Sequence, residues 1–254
     1  MSKELKITII TVCFNSIKTI QDTIDSIRTQ DYDNIEYIVI DGGSSDGTID
    51  IIKENLDIID YYISEPDQGI YDAMNKGILA AKGDIIGILN SDDFYPNQFI
   101  ISNVIKSFKR EDCDAVYGDL VYVDEKNTTE IVRYWKAGKY NTTKIKNGWM
   151  LPHPTFFVKS LIYKRFDLYN INLKQAADYD MILRLLYKYN IDVVYMPMIL
   201  VNMRIGGVSN MNLLQRLKAN KEDSLAWKNN GLRKPFFLRL RKPLQKVRQF
   251  FIKP

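Results

Sequence analysis

Adjacent carboxylates at Asp92 and Asp93, set between an apolar run and the turn residue Pro96, repel one another unless a cation lies beside them. A hard divalent ion answers that repulsion most simply, since Mg²⁺ or Mn²⁺ takes one or two protein carboxylates and completes its shell with water and phosphate oxygens. The plain alternative is a solvated turn in which Asp92 caps the helix that follows. Three further polar blocks stand in comparable places. Asn15-Ser16 follows the first apolar run, "DGGSSDGT" the second and "SEPDQG" the third, so Asp41, Glu65, Asp67, Asp92 and Asp93 all lie directly behind short apolar segments. Turn chemistry explains each block singly. Their joint placement is better explained by a ligand bound beyond the carboxyl ends of a parallel sheet, where five such residues would surround one crevice. Neither GxxxxGK nor GxGxxG is present, so phosphate at this crevice would be met through metal and not by a glycine cradle.

The segments that must carry these residues alternate in period. Apolar, β-rich runs at 7–14, 35–41, 61–64 and 85–90 predict strands. Between them Ile20, Ile24 and Ile27 recur at helical spacing, as do Ile49, Ile52 and Leu56, and "YDAMNKGILAA" predicts a third helix ended by Gly83. This is the pattern of an α/β fold with a parallel sheet flanked by helices. Beyond Asp93 the spacing predicts a helix near 98–108, strands in "DAVYGDLVYV" and "EIVRYW", and a loop around Gly148, Pro152 and Pro154. A helix over 178–189, a strand near 193–201 and an amphipathic helix over 213–229 follow. No internal repeat or linker divides the chain, which predicts one core over 1–212, the helix of 213–232, and a separate basic tail at 233–254.

The composition suits such a domain. The 254 residues are 46% hydrophobic and 26% charged, enough for one sizeable core and too apolar for disorder. Cys13 and Cys113 are far apart and form no metal-ligand spacing, which excludes a disulfide framework and favours a reducing compartment. Lys3 and Lys6 precede "ITIITVCF", but no small-residue cleavage site follows, so a buried strand is expected there and not a signal peptide. No apolar run approaches the roughly 18 residues of a membrane-spanning helix. The net charge of +4 is uneven: 233–254 hold eight Lys/Arg and no acidic residue, while the rest carries 27 basic against 31 acidic groups. Basic character confined to a tail argues against nucleic acid as the partner of the whole protein.

Seven ordered blocks, "TVCFN", "VIDGGSSDGT", "SEPDQGIYDAMNKG", "GDIIGILNSDD", "HPTFF", "AADYD" and "RIGGVSN", resemble the inverting family 2 glycosyltransferases of the GT-A fold found in bacterial surface-polysaccharide pathways. The resemblance covers roughly 5–210 and implies transfer of a hexosyl or N-acetylhexosaminyl group from a nucleotide-sugar, a UDP-sugar foremost, to a hydroxyl of a glycan or lipid-linked glycan. It implies that Thr11, Val12, Phe14 and Asn15 wall the nucleotide site, that Asp41 accepts a hydrogen bond from a base N–H, and that Asp67 and Asn75 are further positions of that site. The plain alternative, less favoured given the surrounding polar blocks, is that Asp41 serves only the Gly42-Gly43 turn. By the same resemblance Asp92 is ribose- or metal-proximal, Asp93 binds Mg²⁺ or Mn²⁺, and Arg204 meets the diphosphate beside a closing segment at Gly206-Gly207. Asp178 would be the general base that takes the acceptor proton, with helix capping as its plain alternative. His153, the only histidine, and Trp149 would line the acceptor cleft. Three positions depart from the family pattern: Asn90 stands where many relatives have Asp, Met74 where they have Arg, and Ala177 where they have Glu.

Two other activities compete. A sugar-nucleotidyltransferase should carry a Gly-rich, Arg-containing loop after the first strand, and "CFNSIKT" is nothing like one. A binding module without catalysis would not need Asp41, Asp92, Asp93 and Asp178 together, although Asn90 and Ala177 are compatible with it. The tail interleaves its cations with Phe236, Phe237, Leu238, Leu240 and Phe250, and beyond Pro243 places Leu244, Val247 and Phe251 on one helical face. That pattern predicts peripheral attachment to an anionic membrane surface from the cytoplasmic side. A protein partner or a second copy of the chain is the competing occupant.

Overall fold

In the computed structural model, residues 4–205, 213–236 and 238 are described. The first half is a β/α alternation: β1 (Ile7–Cys13), α1 (Ile20–Arg28), β2 (Ile35–Asp41), α2 (Thr48–Glu54), β3 (Tyr61–Ser64), α3 (Ile70–Ala80) and β4 (Ile85–Ile88). The order then becomes irregular, with β5 (Asp93–Phe94), α4 (Ile100–Arg110), β6 (Ala115–Val123), β7 (Ile131–Trp135), α5 (Thr142–Lys146), β8 (Phe157–Lys159) and α6 (Ser160–Phe166). Last come α7 (Ala177–Ile182), which widens into a π-helical turn over Leu183–Lys188, β9 (Val193–Arg204) and α8 (Leu213–Asn229).

One mixed sheet runs β3-β2-β1-β4-β8-β6-β9-β5, with β7 beside β6. β3, β2, β1 and β4 are parallel, so their carboxyl ends and following loops share one edge. Both faces of the sheet are covered, which is why β1 is a continuous apolar run: Ile10 and Val12 enter one core cluster, Ile7, Ile9 and Cys13 the other. Gly77 sets how closely α3 lies on β1, because a methyl group there would sit 2.4 Å from Ile10 Cγ2. The glycine weakens the helix intrinsically but brings Tyr71 and Asn75, on the same helix, close to the sheet edge.

Several boundaries differ from the sequence expectation. α3 ends at Ala80, with Ala81 already extended, and Gly83 instead provides a close approach to Thr8. The strand expected near 193–201 continues to Arg204 because Asn202 and Met203 pair with Phe94 and Asp93. The helix expected over 178–189 is α-helical only to Ile182.

Helix α8 does not stand apart from the main core. Ala226 and Trp227 are buried in the same cluster as α7, the Trp227 Nε1–H donates to Tyr179 Oη at 2.9 Å, and Asn230 Nδ2 donates to Asp180 Oδ1 at 2.9 Å. Leu238 is drawn into that cluster at 3% exposure, so the start of the expected tail is part of the folded body. Residues 239–254 lie outside the described residues, as do Gly206 and Gly207 of the expected closing segment.

Candidate active site at the strand ends

The loops behind β1, β2, β3 and β4 are tied into one rim. Asn15, in the left-handed region at φ 50°, accepts at Oδ1 from the Ser45 N–H (3.0 Å) and donates its own N–H to Ser44 Oγ (2.7 Å). Ser16 donates its N–H to Thr48 Oγ1 (2.8 Å), and its hydroxyl shares a hydrogen bond with Ser91 Oγ (2.8 Å), which joins the first loop to the "NSDD" block. Phe14 stands out from this rim at 63% exposure. A methyl group on Gly42 would meet Asp67 Oδ2 at 2.6 Å and Phe14 Cδ2 at 3.4 Å, so Phe14, Gly42 and Asp67 enclose one nook. Asp67 fixes its own loop by accepting from the Gly69 N–H at 2.7 Å.

Several residues expected at the nucleotide-sugar site make contacts within the fold. Thr11 and Val12 are buried inside β1, with Thr11 Oγ1 accepting from Tyr37 Oη at 3.1 Å, so only Phe14 and Asn15 of that group reach the rim. Asp41 is fully buried and holds the turn behind it. It accepts from the N–H groups of Gly43 (3.0 Å) and Ser44 (2.9 Å) and from the hydroxyls of Ser44 (2.5 Å) and Ser64 (2.6 Å). Burial opposes its charge, but these donors outweigh burial and hold the carboxyl below its ordinary range. Asp41 thus holds the turn that was its plain alternative in the sequence. Asn75 is also committed, since Nδ2 donates to the Tyr169 carbonyl and Oδ1 accepts the Tyr169 N–H, both at 2.9 Å. Arg204 is buried beneath the "NSDD" loop, paired with Asp22, donating to the Asp92 carbonyl at 2.9 Å and lying 4.8 Å from the Phe94 ring centre. Its guanidinium braces that loop.

The two carboxylates of the loop divide sharply. Asp93, in β5, is fully buried: its carbonyl accepts from Thr23 Oγ1 (2.7 Å), Oδ2 accepts from Asn90 Nδ2 (3.1 Å), and Oδ1 has no hydrogen-bond partner. Asn90 Oδ1 is likewise buried and unpartnered. Burial, and then the charge of Asp92, push the Asp93 carboxyl well above its ordinary range, against Asn90 and Arg204. Asp92 is only partly buried; burial raises it too, opposed by its own backbone N–H and by Arg204. No group of three or more His, Cys, Asp or Glu side chains is gathered for a metal among the described residues. What the loop does offer is the carboxylate of Asp92 and two buried oxygens that face no donor. An all-oxygen set of this size fits a hard Mg²⁺ or Mn²⁺ ion that draws its remaining ligands from water and phosphate.

Across the rim, the segment before α7 docks on the β3–α3 loop. Lys174 Nζ donates to the Gln68 carbonyl at 2.7 Å, and Tyr71 Oη donates to Asp178 Oδ1 at 3.2 Å. Asp178, in the first turn of α7, also receives the Tyr179 N–H on Oδ1 at 2.7 Å. Glu222 of α8 accepts the N–H groups of Gln175 (2.7 Å) and Ala176 (3.1 Å), which ties the segment entering α7 to α8. His153 Nε2 lies 2.6 Å from Tyr169 Oη; burial pushes its pKa down, with the charge of Asp178 pulling the other way. Trp149 is 8% exposed, packs edge-on against Tyr117 and donates Nε1–H to the Ala137 carbonyl at 2.8 Å. The ring expected to face an acceptor sugar is instead core. Tyr71, Tyr169 and Glu222 were not singled out from sequence; only Tyr71 carried a usable signal, four residues before Asn75 on one helix face.

Comparison with known proteins identifies the family. A sequence profile for Glycosyl transferase family 2 matches residues 8–171. An uncharacterized glycosyltransferase of Mycobacterium tuberculosis is 31% identical over 192 residues, covering 72% of this chain and 70% of its own. A PGL/p-HBAD biosynthesis glycosyltransferase of Mycobacterium bovis is 27% identical, covering 74% and 72%. Among solved structures, a fragment of S. aureus TarS in complex with UDP superposes at TM-score 0.67 with 17% identity, over 79% of this chain and 61% of the fragment, so this chain spans less than two thirds of it. The mannosyltransferase PcManGT from Pyrobaculum calidifontis, in complex with GDP-Man and Mn²⁺, superposes at 0.68 with 15% identity over 97% and 73%. These likenesses establish the GT-A fold expected from the sequence.

Proposed function

The chain belongs to glycosyl transferase family 2 and is a glycosyltransferase, and from that premise we propose that it carries out a metal-assisted, inverting transfer of a sugar from a nucleotide-sugar to a hydroxyl of a glycan or lipid-linked glycan. The observation that carries this reading is the Tyr71–Asp178 hydrogen bond. It brings a carboxylate from α7 to the first turn of α3, directly behind the loop that holds Asp67, so a base candidate and the nucleotide-side rim meet at one edge of the sheet.

Phe14, Asn15, Gly42 and Asp67 line the nucleotide side, and Asp92, with the free oxygens of Asp93 and Asn90, is the place for Mg²⁺ or Mn²⁺. The bound ion would neutralise charge on the departing nucleoside diphosphate. Asp178 takes the proton of the acceptor hydroxyl as its oxygen attacks the anomeric carbon, opposite the leaving group. His153, tied to Tyr169, shapes the acceptor side and does not act as the base. UDP in one structural neighbour and GDP-Man in another support a nucleotide-sugar, with a UDP-sugar the first to try. The proton NMR spectrum of the product tests the stereochemistry: the new glycosidic bond should have the anomeric configuration opposite to that in the nucleotide-sugar, and retention would refute inversion.

No helix among the described residues is long and apolar enough to cross a membrane. The cations and aromatic residues of 233–254 support peripheral attachment to an anionic leaflet, each basic residue near the surface contributing about 1 kcal/mol. The full chain should sediment with anionic vesicles, remain in solution with neutral ones and be released by salt. The comparison chain should end at Leu238, because an earlier end removes buried Leu238 and the Lys234–Ser224 hydrogen bond along with the tail. Equal sedimentation of both chains would exclude the tail from membrane attachment.

A further inference from the structure

We propose that Tyr71 is the positioning residue of the reaction, selecting which oxygen of Asp178 meets the acceptor hydroxyl. This rests on Asp178 being the base. Two donors, Tyr71 Oη–H at 3.2 Å and the Tyr179 N–H at 2.7 Å, converge on the same oxygen, Oδ1. Among the described residues neither donor is on Oδ2, and Asp178 is partly exposed, so Oδ2 is the oxygen left to receive a proton. A carboxylate held at one oxygen by two donors cannot spin freely about its last torsion, and its other oxygen is kept on one bearing. A reacting group misplaced by about 1 Å can lose about 10²-fold in rate.

The Tyr71 ring is itself fixed. It stacks on Tyr169 with centroids 5.7 Å apart and planes 24° from parallel. Tyr169 cannot drift, because both its backbone polar groups are bound by Asn75, one turn along α3 from Tyr71, and its hydroxyl meets His153 Nε2 at 2.6 Å. Asn75 and His153, expected from sequence at the nucleotide and acceptor sides, thus both support the ring on which Tyr71 rests. The chain Asn75–Tyr169–Tyr71–Asp178 runs from one helix to the catalytic carboxylate without a flexible link.

Tyr71→Phe tests this, since it removes one hydroxyl and keeps the stacked ring. Turnover is read as nucleotide release with Mn²⁺ from a panel of UDP-GlcNAc, UDP-glucose, UDP-galactose and GDP-mannose, with the one that is turned over carried forward. We expect kcat to fall about 10- to 100-fold, the worth of a hydrogen bond to a charged group, with KM for the nucleotide-sugar and the melting temperature unchanged. In an Asp178→Asn background, Tyr71→Phe should cause no further loss, since both act through one group. A slow Asp178→Asn enzyme beside a Tyr71→Phe enzyme with unaltered kcat would overturn the inference and leave the base reading standing. So would losses that multiply in the double variant. An Asp178→Asn enzyme as fast as wild type would overturn both.

Discussion

Asp178→Asn should slow glycosyl transfer by about 10²- to 10⁴-fold, the usual contribution of general base catalysis, while the fold and the affinity for nucleotide-sugar should stay as they are. Asparagine keeps the size of the side chain and an oxygen that can accept from Tyr71 Oη and the Tyr179 N–H, so the start of α7 retains its hydrogen bonds. It cannot accept the acceptor's proton. The nucleotide-side rim is built from Asn15, Gly42, Asp67 and the "NSDD" loop and does not include α7, so binding in Mn²⁺ should be preserved. His153→Ala gives the contrast. It removes the partner of Tyr169 Oη and should loosen the acceptor side with a smaller effect on rate. Transfer that survived Asp178→Asn and vanished in His153→Ala would assign the proton to the histidine.

Removal of divalent cations should abolish transfer, and Asp92→Asn should lower metal-dependent nucleotide-sugar binding by at least about 10²-fold, as losing a metal ligand commonly does. Asp93 behaves differently because it is buried. Its carboxyl is held well above the ordinary value of 3.8 in the folded chain, so the folded state resists an ionisation that the unfolded state undergoes freely. The sign follows: Asp93 does not disfavour folding below about pH 4, and stability falls as pH rises from there toward the raised pKa. Asp93→Asn should therefore stabilise the metal-free protein in urea at pH 7.5 and leave it unchanged near pH 3.5. A bound cation relieves the same penalty, so Mn²⁺ should raise the stability of the wild type more than that of Asp93→Asn. Full activity in excess chelator, with the purified protein shown to be metal-free, would exclude the ion.

The first half of the fold was legible because its signals are local. β2 and β3 occupy the residues their apolar runs predicted, and β1 is continuous in hydrophobicity because it is buried on both faces. What was not legible depends on partners far along the chain. β5 is two residues long and exists through pairing with Met203 and Asn202, so the burial of Asp93 could not be seen from "NSDD". Asn75 has the pattern of a helix-surface residue, but its partner is the backbone of Tyr169, which no spacing rule reveals. Trp149 sits in a loop without period, where nothing distinguishes an exposed aromatic from one that packs on Tyr117. Asp41 shows how much of a turn depends on distant partners, since five donors share its two oxygens, with the Cys13 thiol at 3.4 Å and the Ser64 hydroxyl among them.

The most direct measurement is thermal stabilisation across a panel of UDP- and GDP-sugars, each with Mn²⁺ and with chelator, on wild type, Asp92→Asn and Asp178→Asn. A ligand at a hundred times its dissociation constant stabilises the native state by about 2.7 kcal/mol, which for a chain of this size is a rise of about 5 to 10 °C. The expected result is such a rise for at least one nucleotide-sugar, in Mn²⁺ only, kept in Asp178→Asn and lost in Asp92→Asn. No rise with any of them, or the same rise in chelator, would contradict a metal-assisted nucleotide-sugar site at the strand ends.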